Sequence, residues 1–148
     1  WGRSAHPARS YRLEDYITTI TEFLTATCPT PAIAVASSLT AAFVIRIAIA
    51  RPELFRGLLL VAPSGLADFG ENTGRNLFTQ LVKTPIVDRL IYTFGIANAN
   101  GIQSFLEQRQ FAQADRVTPE MVTAYLQSAQ QPNAEYAALS FVRGDLSF

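Results

Sequence analysis

Ser38 stands where an apolar run, Ala32-Ile33-Ala34-Val35-Ala36, gives way to a helix-like stretch from Leu39 to Ala50. A sharp strand-to-helix turn lifts a serine hydroxyl clear of the sheet. It also puts the backbone N–H of the next residue, here Leu39, at a helix N-terminus, where it can stabilise an oxyanion. A serine hydroxyl alone is a weak nucleophile and needs a neighbouring base. Histidine is the commonest such base, and the single histidine of this sequence is His6, far upstream of Ser38. A histidine-dependent step therefore uses His6 or a histidine from outside this chain. The plainer readings are a small residue at a strand–helix join for Ser38 and a solvated loop residue for His6. Ser37, its neighbour, falls one residue early in the register of the flanking segments. Cys28 is the single cysteine, which excludes an internal disulfide and a cysteine-based zinc site. Beside Pro29 it reads as a small buried apolar residue rather than a reactive thiol.

These residues depend on the elements around them. Residues 1–12 mix Gly, Ser, Pro and Arg without a period and read as a loop. Leu13, Tyr16, Ile17, Ile20 and Leu24 fall on one face of a helix, with Glu14 and Asp15 at its positive end and Pro29 and Pro31 stopping it. The run from Ala32 to Ala36 has no polar alternation, as expected of a strand buried on both faces in a parallel sheet. Leu39 to Ala50 reads as a buried helix, ended at Arg51-Pro52 because the residue before proline leaves the helical region. Gly57 to Val61 is a second buried strand, closed by Ala62-Pro63-Ser64-Gly65. Helix, strand, helix, strand with short links is the pattern of a parallel α/β sheet.

Beyond Gly65 the pattern is helical throughout. Short helices are expected over Asn76–Lys83, Ile86–Phe94 and Ile102–Phe111. Thr118-Pro119-Glu120 is a helix start, with an N-cap, a proline at the first helical position and an acidic residue after it. Pro132-Asn133 opens a last helix running to about Val142, and Gly144 ends it. The chain thus divides into an α/β part, residues 1–65, and a helical part, residues 66–148.

The stretch from Ala34 to Gly65, AVASSLTAAFVIRIAIARPELFRGLLLVAPSG, resembles the nucleophile-elbow region of the α/β-hydrolase superfamily, in the branch that carries a helical cap. Trp1-Gly2-Arg3-Ser4, Pro7 and Tyr11 are similar to the entry that precedes the elbow in that family, and Leu66 to Val142 fall where the cap would lie. The resemblance implies a parallel sheet covered by helices with a helical cap after Val61. It implies Ser38 as the nucleophile, Leu39 as the donor of one oxyanion-hole amide, and no cofactor or metal. The family elbow reads G-x-S-x-G, whereas this one reads Ala36-Ser37-Ser38-Leu39-Thr40, so the β-branched Thr40 is expected to crowd the turn. The family order is Ser, then Asp or Glu, then His, and no histidine follows Ser38. Asp68 lies where some of the family keep their acid, although a loop or helix-cap aspartate is the plainer reading. With no initiator methionine and no stop signal at Phe148, both ends read as truncations, and the chain as an internal fragment.

Composition narrows the partners. Lys and Arg together number 12, as do Asp and Glu, and no basic stripe carries interleaved aromatics, so nucleic acid is not expected. Ile33 to Ala50 is long and apolar enough to raise a membrane span, but Arg46 inside a bilayer would cost roughly 2.5–3.5 kcal/mol. The serines at the join also break the run, so no membrane partner is expected. The low cysteine content suits a cytoplasmic location. Phe69, Phe78, Tyr92, Phe94, Phe105, Phe111 and Tyr125 offer an apolar lining for a small-molecule substrate, or simply a core for the helices. The expected activity is hydrolysis of a small hydrophobic ester; the alternative is a binding protein that kept the fold and lost the chemistry.

Overall fold

A computed structural model describes residues 4–64 and 87–146. The described residues form a mixed α/β structure, mostly helical, with a sheet of two parallel strands. The described residues group into two compact units, residues 12–64 with 145–146 and residues 4–11 with 87–144.

The first unit opens with α1, Leu13–Thr27. Asp15 accepts a 2.7 Å hydrogen bond from the Arg12 backbone N–H and so fastens the helix start. The apolar stripe read from the sequence is the covered side: Leu13 is buried, and Tyr16, Ile17, Ile20 and Leu24 are half-buried. Next come β1, Ala32–Ser37, and α2, Ser38–Ala50. After a short 3₁₀ turn at Pro52–Leu54, β2 runs from Phe55 to Val61. The strands pair in parallel, Ala34 opposite Leu58, Ala36 opposite Leu60 and Ser37 opposite Val61.

Helix α2 covers one face of this sheet. Ala36, Ala41 and Val44 form a buried cluster with Ala34, Phe55 and Leu60 packed against it. Phe43 is buried as well, and its ring stacks on Tyr16 of α1 with centroids 5.1 Å apart. Side chains such as Phe43, Val44 and Ile47 each stabilise by about 1.5–3 kcal/mol when removed from water.

The other face departs from the expectation of strands buried on both sides. Ile33 is 66% exposed, Val35 69%, Leu59 58% and Val61 53%. An apolar run without alternation records that both faces are apolar; it does not record whether a layer covers each of them. Likewise α2, apolar nearly all round, leaves Ile49 exposed.

The second unit is helical. Helix α3, Val87–Ile91, passes directly into a π turn, Tyr92–Ile96. Helix α4, Ala99–Phe105, is followed by a second π turn, Leu106–Gln110. Where they are described, the expected helices Ile86–Phe94 and Ile102–Phe111 are therefore part α and part π, a distinction that apolar spacing does not report. Helix α5, Pro119–Ala129, starts as read: the Thr118 side chain accepts from the Met121 N–H. Helix α6, Ala134–Val142, ends before Gly144, whose φ of 82° is the left-handed conformation that glycine adopts without penalty. Tyr92, Ala97 and Leu139 form this unit's core. The buried Ser140 hydroxyl accepts a 3.0 Å hydrogen bond from the Tyr11 N–H, so its burial is compensated. The expected helix Asn76–Lys83 lies outside the described residues.

Candidate active site at the strand ends

The local chemistry of the turn starts with two alanines. Ala36 and Ala41 are both buried where β1 and α2 meet, and their small side chains let strand and helix approach closely. Thr40, expected to crowd the turn, is exposed instead. Its bulk is met by solvent.

Between strand and helix the backbone must reverse within one residue. Ser37 keeps an extended φ of −125° and stays in register with Val61. Ser38 takes the strain, with φ at +50°. A left-handed conformation costs a residue with a Cβ about 1–2 kcal/mol. Strain of this kind persists where the surroundings over-determine it, and such residues cluster at functional sites.

The surroundings here are visible. Ser38 lies beyond the carboxyl end of β1, the side of an open α/β sheet at which ligands bind. Its hydroxyl is exposed and stands 3.3 Å from the hydroxyl of Ser64. The Ser64 N–H donates to the Ser38 carbonyl oxygen at 3.2 Å, so the loop leaving β2 is tied twice to the turn leaving β1. Ala62, between them, is also left-handed, with φ at +43°. Leu39 is half-buried in the first turn of α2, where amide N–H groups have no carbonyl four residues back within the helix.

The unit containing Ser38 has no histidine. His6 belongs to the helical unit, where its carbonyl oxygen accepts from the Asn133 side chain at 3.0 Å. The hydroxyl of Ser64 is no base, and among the described residues of this unit no histidine stands beside Ser38. Cys28 is a half-buried free thiol at the end of α1. Among the described residues, no group of three His, Cys, Asp or Glu is placed to hold a metal ion. Asp68, Phe69 and Phe78 lie outside the described residues.

Of the other aromatics singled out, Tyr92, Phe105 and Tyr125 line one cavity in the helical unit, whereas Phe94 and Phe111 do not. Sequence reasoning missed Ser64 as a partner of Ser38. The available signal was positional: in a parallel pair, residues just past the ends of both strands emerge side by side.

No helix among the described residues is long and apolar enough to cross a membrane. No family model, curated protein or solved structure matches this chain.

Proposed function

We propose that Ser38 is the nucleophile of an α/β-hydrolase-type enzyme acting on a small, hydrophobic ester-like substrate. The observation that carries this reading is the left-handed φ of an exposed serine at the carboxyl end of a parallel strand. Glycine and asparagine take that conformation at least cost, so a serine there is a strained choice, as is Ala62 at the end of β2.

In the reaction, a base removes the Ser38 hydroxyl proton as Oγ bonds to the substrate carbonyl carbon. The carbonyl oxygen becomes an oxyanion facing the Leu39 N–H. Collapse breaks the ester bond, the departing alkoxide takes the proton from the protonated base, and water then hydrolyses the acyl-serine. The chain supplies nucleophile and one oxyanion donor; the base comes from outside it. No cofactor is invoked, and the free Cys28 suits a cytoplasmic setting.

A fluorophosphonate probe mimics the attacked acyl group and tests the assignment on the full natural protein. Labelling is expected on the peptide containing Ser38, abolished by Ser38→Ala and kept in Ser37→Ala. A folded protein that resists the probe refutes the hydrolase reading. The second reading, a binding protein on the same fold, then takes its place. It is favoured by the Ser38 hydroxyl having Ser64, rather than a base, beside it.

A further inference from the structure

The helical unit carries a cavity of about 710 Å³, and its described lining residues all belong to that unit. Small-molecule sites fall at roughly 300–1,000 Å³, so this one holds a whole ligand rather than a water. Alanines on the facing sides of α5 and α6, among them Ala124, Ala137 and Ala138, make the room. A π turn supplies Tyr92, Gly95 and Ile96 to the wall.

The walls select the chemistry of the occupant. No Asp, Glu, Lys or Arg stands among the described lining residues. A charged ligand would be desolvated there without a partner, which is costly. Two of the hydroxyls are already committed: Tyr92 donates to the Ala129 carbonyl at 2.7 Å, and Ser128 donates to the Ala124 carbonyl at 3.2 Å. His6 and Tyr125 are left to meet one or two polar atoms. A peptide is a poor occupant, because its repeated N–H and C=O groups would lack partners on these walls. The rings of Phe105, Tyr125 and Phe141 line the same cavity while about half exposed to solvent (50%, 46% and 52%), which an apolar molecule would cover.

One corner of the wall is closely packed. Gly101 lies so close to the Gly95 carbonyl oxygen that a Cβ on Gly101 would overlap it, and both glycines line the cavity. The side chain of Asn98 holds this corner, accepting from the Gly101 N–H at 2.9 Å and donating to the Phe94 carbonyl at 2.7 Å.

We infer that the helical unit binds an uncharged, largely apolar small molecule bearing one or two hydrogen-bonding atoms, by itself and irrespective of what Ser38 does. The test uses N-phenyl-1-naphthylamine, a neutral dye that fluoresces in apolar surroundings, titrated into the full natural protein. Saturable binding of one dye per chain is expected. The anionic relative 8-anilinonaphthalene-1-sulfonate should bind at least about tenfold more weakly, since its sulfonate finds no partner.

Ala124→Trp, an exposed position at the cavity, should weaken dye binding at least about tenfold with unchanged circular dichroism, because the indole occupies the space. Ala137→Leu should do the same from the buried side; if it unfolds, Ala124→Trp alone carries the test. Val35→Ser, on the open face of the sheet, should leave binding unchanged. The proposal is overturned if Val35→Ser abolishes binding while Ala124→Trp does not, if the sulfonate binds as well as the neutral dye, or if no saturable binding occurs. Probe labelling at Ser38 reads the hydrolase assignment separately, so either idea can fail without the other.

Discussion

Replacing Ser38 by glycine and by alanine reverses the usual order of the two residues in stability. In a helix with ordinary dihedrals, alanine is more stable than glycine by about 0.8–1.0 kcal/mol. At φ of +50° the balance shifts. A residue with a Cβ carries about 1–2 kcal/mol of left-handed strain, while glycine carries none and costs about 0.5–1 kcal/mol in extra chain entropy. The difference leaves Ser38→Gly more stable than Ser38→Ala by about 0–1.5 kcal/mol, with a midpoint of ~0.75 kcal/mol. Both variants lose the hydroxyl contact with Ser64, an exposed 3.3 Å interaction, so that loss cancels between them. Urea unfolding of the full natural protein, with wild type and both variants compared at constant m-value, measures the difference. A companion pair checks the logic: Ala62→Gly, at φ of +43°, should also stabilise. Glycine less stable than alanine at position 38 refutes the strain argument, and with it the observation on which the nucleophile assignment rests. The expected functional cost is complete in either variant, because neither keeps a nucleophile. Strain relieved by glycine together with lost reactivity is what strain held for function predicts.

Gly101→Ala should destabilise by about 1–3 kcal/mol, the range for forcing extra volume into a packed site, because the new Cβ meets the rigid Gly95 carbonyl rather than a side chain that can turn aside; chemical denaturation reads this, and a neutral result would mean that the Gly95–Gly101 approach is looser than described. Tyr92 has its hydroxyl pKa raised by burial first and by the nearby Glu135 charge second, so the folded protein favours the neutral phenol. Its contribution to stability is fully present below the unfolded value near 10 and is lost as pH rises through the higher folded value. Tyr92→Phe should therefore lose about 1 kcal/mol at neutral pH with the hydrogen bond to Ala129, yet show a smaller decline in stability above the unfolded value than wild type; a parallel decline in both would put the alkaline sensitivity elsewhere.

Much of the helical architecture was legible from the sequence because its causes are local. The stripe from Leu13 to Leu24 repeats at the helical period, and the Thr118 cap closes within three residues on the Met121 N–H. Gly144 marks a helix end by its lack of a Cβ alone. The strand–helix junction at Ser38 was equally readable, since a change from a β-rich to a helical apolar stretch happens at one point in the chain.

What tertiary structure decided involves residues far apart in sequence or the filling of space between elements. Ser64 reaches Ser38 across 26 positions, and only parallel pairing of β1 with β2 brings their ends together. Thr40 read as an obstruction in a one-dimensional motif, whereas it is exposed in the fold and the close approach falls to Ala36 and Ala41. The open face carrying Val35 and Leu59 has the same composition as a covered one, because hydrophobicity records a preference for burial and not the presence of a covering layer. The cavity among α5, α6 and the π turn is likewise a property of packing: alanines leave room only where facing helices are held apart, and that separation is set by the elements around them rather than by the alanines themselves.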